Sequence, residues 1–509
     1  MKRRGFLASA NLFLAPTIAV LFCCSAALAD GHSIKIVMSE EPDTLDPCEA
    51  THSFIGRIVK QNIVESLTEV NPTNGKIMPR LATSWEQKDA KTWHFNLRQG
   101  VTFHDGSKFN AETAAVAIKR ALNPNENCQV REKFFSNIQI TPSKVDEFTL
   151  EIKSETAQPI LPTLMTTILL ASPNTPAERG VRDPSGTGPY KLANWTPGQQ
   201  VVVVQNSNYW GAKPQIGKAT YLFRSESSVR AAMVKTGEAD LAPNIALQDA
   251  TDASMDISYP NSETSHLRID ITKAPLNDIR VRKAMNYAVD RNAMAGTIFS
   301  SDVEAATALV VPTIAGHNPS LKAYPYDPEK AKSLLAEAKA DGVPVDKEIL
   351  MVGRLGIYPN STEAMEAIYA MLTDVGFNMK LQMVEKRQWV ESYSKPYDED
   401  RGPVLHQGQH DNNKGDPVFT VYFKYGCDGP QSTMCDKEVE QNIEAASAAP
   451  IGPDRVKIWQ KVFKRLHEDI VHNIMMYHMV GYTRVGERIA YEPTIATNSE
   501  VQLAAISLK

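Results

Sequence analysis

Beyond its first 29 residues, this 509-residue chain has no hydrophobic run near the ~18 consecutive apolar residues that a membrane-spanning helix requires. We therefore expect the rest of the chain to be water-soluble. Neither sign of charge dominates, because 54 lysine and arginine residues face 59 acidic ones, for a net charge of −5. A mildly acidic balance argues against nucleic acid as a partner. The chain is also too long for a single hydrophobic core, which predicts at least two lobes.

Motifs for catalysis are missing as well. The sequence has no G-x-S-x-G nucleophile elbow. His467 and His472 are five positions apart, whereas a zinc-protease helix needs four. The Gly-Thr-Gly turn at 186–188 lacks the third glycine of a dinucleotide loop, since Lys191 stands there. The His/Met-rich stretch at 472–479 is apolar and favours a core strand over a metal site. We therefore predict a protein that is not an enzyme and holds no cofactor or metal.

The first 29 residues have the pattern of a cleaved export signal. Residues 2–4 are basic, an apolar run covers 12–28, and Ala-Leu-Ala at 27–29 is the small-x-small site that a signal peptidase needs. The Arg-Arg pair at 3–4 also resembles a twin-arginine signal, and Cys23 leaves a lipoprotein alternative. The signal predicts a periplasmic mature protein, whichever export route it takes.

Cysteine is scarce, with six residues in the chain and four of them beyond the export segment. An even number of cysteines in an exported chain favours disulfides over metal sites. Cys427 and Cys435 bracket a Gly-Pro pair and are close enough in sequence to close one loop, which leaves Cys48 and Cys128 as the second pair. The alternative is four free thiols.

Apolar periodicity predicts a mixed α/β chain. Residues 93–97 alternate apolar and polar, as in a strand buried on one face. Apolar residues recur through 281–289 at the spacing of an amphipathic helix. Asp327 followed by Pro328 marks the start of a further helix. No repeat or low-complexity linker is visible, which favours lobes that interleave along the chain.

Five segments resemble those of a known family. The stretch GTGPYKLANWTPGQQVVVVQNSNYW at 186–210 joins a glycine-flanked turn to a four-valine strand and ends in aromatic residues. The other segments, in the family's order along the chain, are EEPDTLDP at 40–47, SWEQKDAKTWHFNLRQGVTFHDG at 84–106, LNDIRVRKAMNYAVDR at 276–291 and YDPEKAKSLLAEAK at 326–339. Together they resemble solute-binding protein family 5, the extracytoplasmic oligopeptide- and dipeptide-binding proteins of ABC importers.

The resemblance implies an α/β fold, a two-lobed periplasmic-binding-protein clamp of type II with an extra domain inserted in the first lobe. The implied partition is a signal peptide at 1–29, lobe 1 at 30–76, 185–272 and a returning tail at 479–509, an inserted domain at 77–184, and lobe 2 at 273–478. Because the chain crosses between the lobes more than once, the crossings are expected to act as a hinge.

The implied function is to capture a short peptide or peptide-like solute between the lobes. The monomeric binder would present this solute, chemically unchanged, to an inner-membrane permease with its ATPase subunits. A non-peptide solute such as an opine, an oligosaccharide or a metal chelate is an alternative, because a fold does not fix its ligand. An exported peptide hydrolase is a further alternative, which turnover of the ligand would distinguish.

The resemblance also implies how the two ends of the ligand are held. Arg354 stands where dipeptide binders of the family have the arginine that takes the C-terminal carboxylate. The family's amine anchor is an aspartate three residues before the Asp of an Asp-Pro pair, and here that residue is Asn413. Asparagine has no charge to neutralise an ammonium. Asp411 can replace it if the loop is shifted.

Two further groups complete the predicted ligand site. His406 and Gln407 lie just upstream of Asp411 and offer uncharged donors and acceptors, with a polar edge strand as the alternative. Gly186, Thr187 and Gly188 form a turn in which the two glycines let the backbone come close to a neighbour or a ligand.

Overall fold

A computed structural model describes Met1 and residues 32–509, with gaps at 127, 177, 179 and 413. The predicted signal peptide after Met1 and the predicted ligand residue Asn413 lie outside the described residues. Within the described part, every helix is too short or too polar to cross a membrane.

Strands occur along the whole described chain. They are β1 (Ser33–Met38), β2 (Thr68–Val70), β3 (Ile77–Pro79), β4 (Ala82–Gln87), β5 (Thr92–Leu97), β6 (Ile140–Lys144), β7 (Thr149–Ser154), β8 (Tyr190–Thr196), β9 (Gln200–Gln205), β10 (Lys218–Phe223), β11 (Leu241–Ile245), β12 (Asp256–Ile269), β13 (Glu304–Ala305), β14 (Ile349–Arg354), β15 (Met379–Val384), β16 (Val404–Asp411), β17 (Asn473–Val485), β18 (Ile489–Ala490) and β19 (Ser507–Leu508).

Helices are interspersed with these strands, which makes the fold mixed α/β. They are α1 (Ser53–Val59), α2 (Ala111–Ala121), α3 (Gln129–Phe134), α4 (Leu161–Leu164), α5 (Ser227–Lys235), α6 (Ile279–Ala288), α7 (Arg291–Met294), α8 (Pro328–Ala340), α9 (Ser361–Asp374), α10 (Lys386–Tyr393), α11 (Val418–Tyr425), α12 (Lys437–Ala448) and α13 (Pro453–Lys464).

The largest sheet passes through two lobes. Its strand order is β15-β14-β16-β12-β17-β11-β1-β10-β9-β8, with β13 beside β17. We call the half with β1 and β8 to β11 the first lobe, and the half with β14 to β16 the second lobe. Each half has its own hydrophobic core, built around Ile36 and Tyr221 in the first lobe and around Met351 and Met365 in the second. A separate four-stranded sheet, β4-β5-β7-β6, forms a third core around Phe95 and is called the inserted sheet.

Two long strands, β12 and β17, belong to both lobes. Residues 256–260 of β12 pair with 480–484 of β17, next to β11. Residues 264–268 of β12 pair with 473–478 of β17, and here β12 also pairs with β16. The register shifts between Pro260 and Thr264. The regular ladder is therefore interrupted at the point where the sheet passes from one lobe to the other.

The local predictions from sequence are confirmed for the elements that have strong patterns. Trp93, Phe95 and Leu97 of β5 are buried on one face. The apolar residues of 281–289 are buried, and their helix is α6. Asp327 caps α8, since its carboxylate accepts a hydrogen bond from the backbone N–H of Lys330 at 2.9 Å.

Both predicted cysteine pairs are joined in the structure. One disulfide links Cys48 to Cys128, and the other links Cys427 to Cys435. The first ties the segment after β1 to the N-terminus of α3, because Cys128 is the residue that precedes this helix. The second closes the loop that follows α11.

Candidate functional site

A cavity of about 780 Å³ lies between the two lobes. The first lobe lines it with residues of α1, and the inserted sheet's domain contributes α3. The second lobe contributes the end of β14 and parts of α10 and α11. β12 and β17 form its floor at the interruption of the ladder. A volume of this size falls in the range of sites that enclose small organic ligands.

Charged side chains of both signs face this cavity. The cations among its lining residues are Arg57, Arg131, Lys133, Arg354, Lys386 and Lys424, and the acids are Glu40, Glu132, Glu263 and Asp411. A ligand that pairs with both sets must carry charges of both signs. The arrangement of these groups decides which end of the ligand goes where.

Arg354 is the last residue of β14, and among the described residues it has no carboxylate as a counter-ion. Burial lowers the pKa of its guanidinium, and Glu40 and Glu263 act on it only at longer range. The described residues supply no carboxylate that forms an ion pair with Arg354, and its Nε is buried without a hydrogen-bond partner. Its guanidinium lies 5.9 Å from the ring centre of Trp389. The side chain is thus held ready for an anion that the protein itself does not provide.

Gln407 and His406 lie behind the cavity wall instead of lining it. Gln407 is fully buried, and its Oε1 accepts a hydrogen bond from the backbone N–H of Arg354 at 2.8 Å. Its Nε2 donates to the hydroxyl of Tyr358 at 3.0 Å. His406 is buried against Arg268, and burial lowers its pKa far below the ordinary value. The two residues predicted as ligand contacts therefore support the wall, and Gln407 positions Arg354.

The turn Gly186-Thr187-Gly188, which the sequence predicts as a ligand contact, is not among the residues that line this cavity. A Cβ on Gly186 would lie 2.0 Å from the carbonyl oxygen of Ile63, and one on Gly188 would lie 2.3 Å from that of Asn62. Thr187 is fully buried. The glycines do allow a close backbone approach, but the neighbour is another segment of the first lobe.

Both ends of the 186–210 stretch converge on one buried carboxylate. Glu65 accepts hydrogen bonds from the hydroxyl of Thr187 at 2.8 Å and from the indole N–H of Trp210 at 2.9 Å. Tyr209 donates to it at 3.1 Å, and Arg80 forms an ion pair with it at 2.7 Å. This shared partner explains why the stretch begins with a glycine turn and ends in aromatic residues. Its role is to hold the first lobe together.

Two acids lie opposite each other on the cavity floor. Asp411 is the last residue of β16, and the strand register places it directly across from Glu263 of β12. The hydroxyl of Ser262 donates to Asp411 at 2.6 Å. Burial, followed by the nearby charge of Asp411, raises the pKa of Glu263 to about 8. The pair is suited to an ammonium group, which would compensate both carboxylates.

The raised pKa of Glu263 predicts a pH-dependent stability. An acid whose pKa rises on folding costs stability as pH increases from its ordinary value, here 4.5, towards its folded value of about 8. Glu263→Gln does not titrate. We therefore expect the variant to match the wild type at pH 5 and to exceed it by at least about 1 kcal/mol at pH 9, since one pKa unit corresponds to about 1.4 kcal/mol.

The measurement is urea denaturation of the ligand-free protein at both pH values. Glu366→Gln is the control, because Glu366 is an exposed residue of α9 and undergoes the same chemical change. A stability difference between Glu263→Gln and the wild type that stays constant from pH 5 to pH 9 would contradict the assignment.

Sequence reasoning did not identify several of the cavity residues. Trp389 of α10 lines the cavity, and its ring stacks on that of Tyr393 with 4.2 Å between centres. Glu263 and Lys424 also line it. Lys424 did carry a signal in the sequence, as the charged residue in the apolar helix VFTVYFKY. Glu263 stands in a polar stretch and carried none.

Comparison with known proteins places the chain in a family. The model for bacterial extracellular solute-binding proteins, family 5 Middle, matches residues 76–430. The dipeptide-binding protein of Escherichia coli (strain K12) is 28% identical over 504 residues, covering 92% of each chain. The nickel-binding periplasmic protein of the same organism is 26% identical over 496 residues, covering 91% of this chain and 92% of the relative.

A solved structure shows the same fold. The periplasmic binding protein DppA from Helicobacter pylori, in complex with the peptide STSA, superposes with a TM-score of 0.80 at 18% identity, covering 94% of this chain and 98% of that one. These proteins are binding proteins, and none of their names describes an enzyme. Since the family match spans most of the chain, and the cavity lies between two lobes of the same fold, the protein belongs to the bacterial extracellular solute-binding proteins of family 5.

Proposed function

We propose that the protein is the periplasmic solute-binding component of an ABC importer, which captures a short peptide or peptide-like solute and delivers it unchanged to the permease. The observation that carries this proposal is the separation of charge in the cavity between the lobes. Arg354 is an unpaired cation in one wall, and the Glu263–Asp411 pair lies on the floor. The name of one relative, a dipeptide-binding protein, supports the same ligand class.

A zwitterionic peptide fits this distribution of charge. Its carboxylate would pair with Arg354, which has no competing acid, and its ammonium would lie between Glu263 and Asp411. Asp411 would then take the role that the sequence leaves open between it and Asn413. Trp389 lines the cavity and offers an apolar ring surface to the ligand between its charged ends.

We further propose that the lobes close on the ligand about the interrupted ladder of β12 and β17. The partition at 30–76, 77–184, 185–272, 273–478 and 479–509 is kept as the proposed domain assignment. Lobe closure is supported by contacts across the cleft. Lys386 of α10 lies 4.8 Å from the ring centre of Phe54 in α1, and the ring of Phe419 meets that of Phe134 at 5.2 Å. An opening motion would break both contacts.

The proposal predicts that a bound ligand makes the molecule more compact. We expect small-angle scattering to give a smaller radius of gyration once a peptide that binds in calorimetry, tested first with Ala-Ala and Ala-Ala-Ala, is added to saturation. The recovered peptide should be intact, because the proposed role is binding and release without a chemical step. An unchanged scattering profile at saturation would contradict the clamp, and cleaved peptide would favour the hydrolase alternative.

The proposed location and partners follow from the sequence and the family. The export pattern at 1–29 supports a periplasmic location, and membership of an extracellular solute-binding family supports a membrane permease with ATPase subunits as the partner. We propose that it acts there as a monomer.

A further inference from the structure

Lys424, in another part of the same cavity, is a second cation that forms no ion pair within the described part of the chain. Lys424 belongs to α11 of the second lobe and lines the cavity, although only 8% of its surface is exposed. An ammonium has three N–H donors. Among the described residues, the hydroxyl of Tyr393, 3.4 Å away, is its one hydrogen-bond acceptor. The ammonium thus faces the cavity with most of its hydrogen-bonding capacity unused.

The surroundings of Lys424 make this arrangement costly. The charged groups that act on it are Arg268 and Lys133, both cations, and together with burial they lower its pKa to about 7. Arg268 is itself buried beneath Tyr393, donates to backbone carbonyls and has an unpaired Nε. In the part of the chain that the structure describes, neither cation has a carboxylate partner that would offset the charge of Lys424. An anion placed here would relieve both the repulsion and the unmet hydrogen bonds.

Lys133 of α3 faces the same region from across the cleft. It lines the cavity and acts electrostatically on both Lys424 and Glu263. It is therefore within electrostatic range of both the buried lysine and Glu263 of the cavity floor. When the lobes close, α3 and α11 come together through Phe134 and Phe419, and this contact brings the two lysines to one pocket.

We propose that Lys424 and Lys133 form a second anion subsite, which binds a carboxylate of the ligand in addition to the one that Arg354 binds. This inference rests on the proposed function and narrows it. The preferred solute then carries two anionic groups with an ammonium between them, as in a short peptide whose first residue is acidic or in an amino acid substituted on nitrogen with a carboxylic acid.

Isosteric ligands provide the test. Glu-Ala and Gln-Ala differ in one carboxylate and hardly in shape. We expect calorimetry on the wild type to show at least tenfold tighter binding of Glu-Ala, and Lys424→Met to reduce this preference to within twofold while Gln-Ala binds as before. Lys437→Met is the matched control, because Lys437 is an exposed lysine of α12 away from the cavity, and it should keep the full preference.

The outcomes separate this inference from the proposed function. If Gln-Ala binds and the wild type does not prefer Glu-Ala, the subsite is overturned and the peptide function stands. If neither dipeptide binds, the proposed peptide function fails. The subsite is then tested separately, by comparing the binding of glutarate with that of its monoamide. A preference for glutarate that Lys424→Met removes supports the subsite, whereas equal binding overturns it. Should Lys424→Met fail to fold, Lys424→Gln replaces it in both comparisons.

Discussion

Replacing Arg354 by alanine is expected to weaken dipeptide binding by roughly 30-fold to several thousand-fold. The reason is that a ligand carboxylate paired with Arg354 would be left buried without its counter-ion, at a cost of about 2–5 kcal/mol, which converts to that range of affinities. Calorimetry measures this loss of affinity directly. The ligand is the peptide that binds the wild type and is used in the scattering experiment.

Two controls make this result specific. Arg387→Ala removes the same charge from α10, but the side chain of Arg387 is 92% exposed and lies outside the cavity, so binding should stay within about twofold. Amidation of the peptide's C-terminus should weaken its binding to the wild type as much as Arg354→Ala does. The same amidation should weaken binding to Arg354→Ala only a little further. If amidation leaves wild-type binding unchanged, Arg354 does not hold the carboxylate.

Local patterns in the sequence were sufficient for the secondary structure, and the reason is physical. The alternation at 93–97 and the helical spacing at 281–289 each follow from one face of an element being buried, so a short window contains the information. The same holds for Asp327, whose capping partner is three residues away. Such contacts depend little on where the rest of the chain goes.

The turn at 186–188 shows where this kind of reasoning fails. A glycine without a Cβ indicates that something approaches closely, but it does not indicate what. Here the neighbours are carbonyl groups of Ile63 and Asn62, more than a hundred residues away in sequence, and the stretch as a whole is organised around Glu65. The resemblance to the family marks this motif, and the structure packs it against other segments of the first lobe.

The acid pair could not be predicted from the sequence, for a different reason. Asp411 and Glu263 become neighbours only through the register of β16 against β12, two strands far apart in the chain. A one-residue change in that register would turn Glu263 to the other face of the sheet. Arg354 could be proposed from the sequence because the family's motif marks its position. Lys424 could be proposed as a binding residue only after the structure showed that Lys133 and Arg268 lie near it.

The two disulfides are expected to contribute unequally to stability. A crosslink restricts the unfolded chain more when it closes a longer loop. Cys48 and Cys128 are 80 residues apart, and Cys427 and Cys435 are 8 apart. The loop-entropy relation then gives about 4.5 kcal/mol for the first crosslink and about 2.5 kcal/mol for the second. Each pair thus serves as the control for the other, because the chemical change is the same.

We therefore expect Cys48→Ala/Cys128→Ala to lower the free energy of unfolding more than Cys427→Ala/Cys435→Ala does, by about 2 kcal/mol or more. Cys128 is also fully buried, so its truncation adds to the loss, whereas Cys435 is exposed. Urea denaturation under non-reducing conditions measures the free energy of unfolding of both variants. The slopes of the transitions are compared, to confirm that unfolding exposes the same amount of surface in each. Equal losses in the two variants would show that the length of the closed loop does not determine how much each disulfide stabilises the protein. A larger loss from the pair at 427 and 435 would mean instead that the loop after α11, which follows Lys424 directly, is held mainly by its disulfide.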